Sequence, residues 1–262
     1  MGLILNGNAP SKILYNGAEV SLYLNGSKIW PEVNYNPLNL PANTVRVRTN
    51  NGNPPIKGSS TTYNTATLLL GSTDIYDVYK SGTDFSNLLR GSTNVVEVLG
   101  ANTTNITNMG YMFYGCSSLN TVQLFDTSNV TLMRTMFCNC QSLTSVPLFD
   151  TSNVTATFDM FQNCKALISV PLFDTSNVTA MYSMFHNCES LTAIPLFDTS
   201  KVTNMYDMFQ NCYKVQSGAL ALYQQASTQA NPPSSHSYTF TKCGRDTPTG
   251  AAELAQIPSD WK

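Results

Sequence analysis

The side chains in this sequence that could do chemistry recur along the chain instead of clustering. Of seven cysteines, five (Cys116, Cys140, Cys164, Cys188 and Cys212) stand 24 residues apart, which raises zinc ligation and disulfide pairing. Thiolate zinc sites need paired ligands a few residues apart, as in CxxC, or Cys and His together. Cys138 and Cys140 are separated by one residue and no histidine lies within four of them, so no metal site is expected. Side chains leaving successive repeats in parallel do not meet the dihedral of about ±90° that a disulfide requires. The five are therefore expected to be small buried hydrophobes. Cys138 shares an offset with Tyr114, Gln162, His186 and Gln210 and is expected to be exposed.

Asp126, Asp150, Asp174 and Asp198 form a second column. Carboxylates about 5 Å apart, the spacing of paired strands, could hold a cation. Each, however, precedes Thr-Ser, and a short carboxylate in that setting accepts the backbone N–H groups of its own turn; the turn role is expected. Asn-Val-Thr sequons at Asn129, Asn153 and Asn177 read as repeat grammar. The asparagines at 139, 163, 187 and 211, each before a cysteine, suit the left-handed end of a helix. His186 and His236 sit in no motif with a nucleophile or paired acid, and glycine-rich phosphate loops are absent. Neither an enzyme, a catalytic residue nor a cofactor is expected.

The elements that must carry these columns follow from the repeat itself. LFDTS begins at Leu124, Leu148, Leu172 and Leu196, and Met-Phe recurs at 112, 136, 160, 184 and 208, all in one 24-residue register. In one unit, Val178, Met181, Met184, Phe185 and Cys188 share one face of a short helix. Leu191, Ile194 and Leu196 then run to a short strand beside Pro195, which cannot donate a ladder hydrogen bond. Neither element buries its face alone, whereas stacked copies share one core. The expected fold is α/β: a right-handed, leucine-rich-repeat-like solenoid of five 24-residue coils over 101–220, rising roughly 25 Å at strand spacing.

Residues 77–100, where Phe85, Leu88, Leu89, Gly91, Ser92, Val95 and Val98 keep the register, are expected to form a degenerate N-terminal cap coil. The register fails at Gly218, so 221–262, opening on a helical stretch from Ala219 to Ala230, is expected to be a C-terminal cap. Asn-Gly at 6, 16 and 25 between apolar runs marks 1–31 as a small β-meander of hairpins. It is too slight to be stable unaided and is expected to dock on a neighbouring subunit, a symmetric copy or a larger assembly, with a homo-oligomer among the expected states. Residues 32–76 read as a linker and a small β-layer with one alternating strand, Val45-Arg46-Val47-Arg48.

Only 11% of residues are charged, about half the usual share, and the net charge is −2. No run of Lys or Arg offers phosphates a field, so nucleic acid is not an expected partner. No apolar stretch approaches the length of a membrane span, and the opening lacks the features of a secretory leader or an acylation signal.

Units such as TSNVTAMYSMFHNCESLTAIPLFD closely resemble the BspA-like leucine-rich repeats of bacterial surface proteins over about 101–220. The string ILYNGAEVSLYLNGSKIWP resembles, more loosely, hairpin segments of virion appendage proteins of gut phages. The resemblance implies a non-enzymatic binding or adhesion module displayed on a phage particle, as a tail or head fibre or appendage. It would attach to other virion subunits through residues 1–31, contact a host-surface protein or glycan, and be extracellular after release. A bacterial surface adhesin and a purely structural capsid or tail decoration are the alternatives.

Residues needed for packing should not change between units, and Met-Phe, Cys and Leu obey this. The offset of Arg134, Phe158, Tyr182 and Tyr206 changes yet stays large, beside Thr135, Asp159, Ser183 and Asp207. These four are the candidate binding residues, since an aromatic row with hydrogen-bonding neighbours can grip sugar or protein surfaces. Covering the groove between helices is the competing role for the same rings.

Overall fold

The structure, a computed structural model, describes residues 39–262 and, before them, four short strands between residues 14 and 30. Those strands form two separate antiparallel pairs: β1 (Leu14–Tyr15) with β2 (Ala18–Glu19), and β3 (Leu22–Leu24) with β4 (Ser27–Trp30). In sequence, Asn16-Gly17 and Asn25-Gly26 join them. The remainder of the expected docking segment lies outside the described residues.

A five-stranded mixed sheet follows, in the order β6 (Thr65–Leu68), β7 (Ile75–Tyr79), β5 (Thr44–Thr49), β8 (Val95–Asn102), β9 (Thr121–Val122). β5 alternates as its sequence does. Val45 and Val47 are buried, while Arg46 forms a bidentate pair with Asp77 and Arg48 pairs with both Asp74 and Glu97. The last pairing, β8 with β9, is parallel and carries the sheet into the repeats.

The expected α/β right-handed solenoid is not what the chain forms. Among the described residues the regular structure is the two strand pairs, the mixed sheet, a 3-10 turn at Ser259–Trp261 and two short helices, α1 (Ala219–Thr228) and α2 (Pro248–Gln256), both of which follow the break in the repeat register at Gly218. Residues 178–188, assigned above to a helix, are a chain of turns, and 190–198 contains no strand.

The reason is in the backbone. Ser183 and Asn187 hold left-handed φ of 52° and 61°, which ends any α-helical run. Their neighbours then bond in alternation. The N–H groups of Met184, His186 and Cys188 donate three residues back, to Met181, Ser183 and Phe185. Those of Met181, Ser183, Phe185 and Asn187 donate instead to Asn204, Tyr206, Met208 and Gln210 of the next unit. Spacings of 3, 1 and 3 thus bury Met181, Met184, Phe185 and Cys188 because each turn repeats every two to three residues, not because a helix presents a face.

Successive units are tied by these bonds and by isolated parallel bridges running Asp84, Asn108, Leu132, Ala156, Ala180, Asn204 and then Ser235. Between units lies one apolar column. Phe113, Phe137, Phe161, Phe185, Phe209 and Phe240 stack with centroids 5.2–6.0 Å apart and planes within 11°. A second row, Phe125, Phe149, Phe173 and Phe197, is buried beside it. At about 25 cal/mol per Å² of apolar surface removed from water, each buried ring contributes on the order of 2–3 kcal/mol.

Phe240 and Cys243 repeat the Phe-x-x-Cys spacing of Phe209 and Cys212, but 31 residues on instead of 24. The extra length holds α1. Gly218 opens it with φ 98°, at a point where a Cβ would run into the carbonyl of Ile194. The column is closed by Trp261, which stacks against Phe240 and His236.

Candidate binding face of the repeats

The chemistry-bearing columns resolve into structural roles first. The thiols of Cys116, Cys140, Cys164, Cys188 and Cys212 donate to the carbonyls of Leu89, Phe113, Phe137, Phe161 and Phe185, each at 3.1 Å. All seven cysteines are free and buried, and burial pushes the Cys116 thiol up to about 12. Cys138, expected to be exposed, is buried as well. Its small side chain is covered by Gln162 of the next unit, whose Oε1 lies 3.5 Å from the sulfur, and by the Asn139 amide at 3.3 Å.

The aspartates serve their own turns. Oδ1 of Asp126, Asp150, Asp174 and Asp198 accepts the N–H of Ser128, Ser152, Ser176 and Ser200. In the sequons, Asn129, Asn153 and Asn177 donate their amides to carbonyls of the preceding unit, at Thr104, Ser128 and Ser152. Asn139, Asn163, Asn187 and Asn211 take the left-handed conformation expected of them, at turns instead of helix ends. Their side chains form an amide ladder at 2.7–3.0 Å. Among the described residues no cluster of three or more His, Cys, Asp or Glu could hold a metal ion.

What remains outside is the variable offset. Arg134 is exposed, with its guanidinium 5.8 Å from the Tyr111 ring and 5.9 Å from Phe158. Phe158 and Tyr182, both half-buried, stack at 4.6 Å. Tyr206 is 42% exposed and meets Tyr238 edge to face at 5.6 Å. The four candidate residues therefore belong to one longer stripe. Arg90 extends it at one end, lying over Tyr111 and Tyr114; Tyr238 extends it at the other.

Sequence reasoning missed these additions. Tyr111, Tyr114 and Arg90 occupy neighbouring offsets, not the one singled out. Tyr238 belongs to the unit displaced by α1, where the 31-residue step to Phe240 and Cys243 aligns it with Asp207 and puts Ser237 at the offset of Tyr206, so it too joins from a neighbouring offset.

Beneath the stripe lies a polar cluster. The Ser183 hydroxyl donates to Asp207 at 2.6 Å, and Nδ1 of His186 lies 3.1 Å from the same carboxylate. Gln162 reaches Asp159, whose carboxyl burial raises above its ordinary range, with the nearby Asp207 charge adding to the rise. Burial likewise raises the Tyr182 phenol. The arrangement presents ring edges, phenolic hydroxyls and a guanidinium over a fixed bed of hydrogen bonds, and so can make a directional but non-covalent contact.

These features define a tandem-repeat protein in which laterally presented residues change from unit to unit over a repeated interior. A family described as "Mycoplasma protein of unknown function, DUF285" matches residues 83–192 and 144–231. Those segments cover more than half of the chain, and the chain belongs to that family. No curated protein and no solved structure matches it. No described helix is long and apolar enough to cross a membrane.

Proposed function

We propose that the chain is a non-enzymatic binding module that grips a host-surface protein or glycan along the stripe from Arg90 through Arg134, Phe158, Tyr182 and Tyr206 to Tyr238. The single observation carrying this is that in four successive units one offset holds Arg134, Phe158, Tyr182 and Tyr206, residues that differ from unit to unit yet are all large and partly exposed over fixed turns, with the small Gly110 and Ser237 holding it at either end. Rings and guanidinium groups held in place bring contact area at little rotamer cost, which is why they dominate binding hot spots.

Display on a phage particle, with 1–31 joining other virion subunits, rests on the resemblance of the N-terminal string to appendage hairpins and is supported by the two antiparallel strand pairs there. Deleting residues 1–31 tests it: the truncated protein should fail to enter particles. Incorporation at the full-length level would overturn the docking role.

A second reading, a bacterial surface adhesin, is favoured by the Mycoplasma origin of the family's description. It predicts the protein on the producing cell's surface and not on released particles, which surface labelling of both fractions distinguishes.

A further inference from the structure

The chain has five arginines, and three of them pair with carboxylates: Arg46 with Asp77, Arg48 with Asp74 and Glu97, and Arg245 with Asp246. Among the described residues Arg90 and Arg134 pair with none; Arg90 Nη1 donates instead to the amide oxygen of Asn87 at 3.0 Å. Both meet at one ring. Arg90, from the unit before, lies 5.2 Å from the Tyr111 centroid, and Arg134, from the unit after, lies 5.8 Å from it. Two like charges beside one ring repel, and a bound anion relieves that repulsion. The carboxylates of neighbouring units are engaged elsewhere. Asp84 accepts the Ser86 N–H, Asp159 the Gln162 amide, and Asp207 the Ser183 hydroxyl, with His186 beside it.

The chain makes room for this corner. At the offset of Tyr111 the units on either side hold the smaller Asn87 and Thr135. Tyr111 nevertheless keeps their left-handed φ, at 59°, a conformation uncommon for a bulky side chain. One unit before Arg134 stands Gly110, where a Cβ would already touch Arg134 Cγ at 3.5 Å, so any longer side chain would take the space that the arginine stem fills. Arg134 is exposed, while Arg90, Tyr111 and Tyr114 are half-buried.

The backbone here is already used: the Tyr111 N–H donates to the Arg134 carbonyl, and the Tyr111 carbonyl accepts the Tyr114 N–H, each at 3.1 Å. A peptide strand finds no free edge to pair with at Tyr111, and recognition falls to rings, phenolic hydroxyls and guanidinium forks. Guanidinium takes a carboxylate in a bidentate pair, and tyrosines offer an apolar face and a hydroxyl to a sugar ring. We propose that Arg90, Tyr111, Tyr114 and Arg134 form a subsite for an acidic sugar, whose carboxylate these guanidinium groups bind. The proposal rests on reading the stripe as the binding surface and names the ligand chemistry at one end of it.

Affinity electrophoresis of the full chain through gels containing polygalacturonate, its methyl ester or poly-glutamate tests it. The ester keeps the sugar without the charge, and poly-glutamate keeps the carboxylates without the sugar. Polygalacturonate should retard the wild type at a concentration about tenfold below either, and Arg90→Gln and Arg134→Gln should each weaken that binding about tenfold, the loss of one charged hydrogen-bonding group. Lys214→Gln, which removes an exposed cation outside the stripe, should not. The ester comparison uses the unaltered protein and so does not depend on how any variant folds. No retardation by polygalacturonate, equal retardation by the ester or by poly-glutamate, or binding unmoved by both arginine changes would overturn the proposal. Labelling of bacterial cells that falls with Tyr206→Ser but not with Arg90→Gln, alongside no preference for polygalacturonate over its ester, would leave the stripe as a binding surface and remove only the acidic sugar.

Discussion

The Phe158 and Tyr182 rings lie 4.6 Å apart, centroid to centroid, and only 12° from parallel, so each spends one face on the other. Tyr206 makes no such stack; it meets Tyr238 edge-on at 90°. The two tyrosines, alike in sequence, therefore differ in what they hold. Each substitution to Ser removes a ring pair worth about 0.5–1.5 kcal/mol, but Tyr182 is half-buried and Tyr206 is 42% exposed, so Tyr182→Ser should lose buried apolar area as well and lower the melting temperature more than Tyr206→Ser does. Thermal melts of the two variants check this ordering.

The cysteine column predicts inert thiols. A thiol reacts as thiolate, and here burial both hides each sulfur and disfavours its ionised form. Ellman's reagent should titrate none of the seven in the native protein within minutes and all seven in denaturant. Cys164→Ala removes a buried sulfur and its bond to the Phe137 carbonyl, and should cost roughly 1–3 kcal/mol in urea unfolding.

Asp159 supplies a pH test with a definite sign. Its carboxyl is raised by burial in the folded chain, so the unfolded chain gives up this proton at lower pH. As pH climbs from the ordinary carboxylate range through the raised value, ionisation favours unfolding, and the penalty is complete above it. Asp159→Asn should therefore stabilise at neutral pH, with the pH-dependent part of the gain vanishing in acid. Any gain that remains in acid reports how well Asn suits the left-handed φ of 55°. Melting curves from pH 3 to 8 separate the two parts.

Asn163 should show the backbone and the amide ladder separately. Asn163→Ala places a side chain with no local hydrogen bond at φ 60° and should cost on the order of 1–2 kcal/mol plus the ladder bonds to Asn139 and Asn187. Asn163→Gly should cost less, since the matching offsets at Gly91 and Gly115 already hold that conformation. Urea midpoints give the comparison.

The 24-residue register made much of the interior legible: Met-Phe and the five cysteines are buried where their recurrence placed them. The conformation carrying them was not legible, because turns closed every two to three residues bury nearly the same offsets as one helical stripe. Only the repeated left-handed residues, Thr135, Asp159, Ser183 and Asp207 among them, separate the two, and apart from the Asn column their types do not announce that geometry. Leu148, Leu172 and Leu196, each more than half exposed, misled in another way, since repetition was equated with burial. Of the binding stripe, the four residues of one offset were found, while Arg90, Tyr111, Tyr114 and Tyr238 join it through contacts between different offsets.

The most direct test of the account is binding of the fluorescently labelled full chain to a panel of intact gut bacteria, alongside the Arg134→Ala/Tyr206→Ser double variant. Both substituted residues are exposed, so the variant should stay folded and melt within a few degrees of the wild type. The account predicts that the wild type labels a subset of strains and that the double variant loses at least tenfold of that labelling, about 1.4 kcal/mol of binding. Equal labelling by both proteins, or no strain labelled by the wild type, would contradict it.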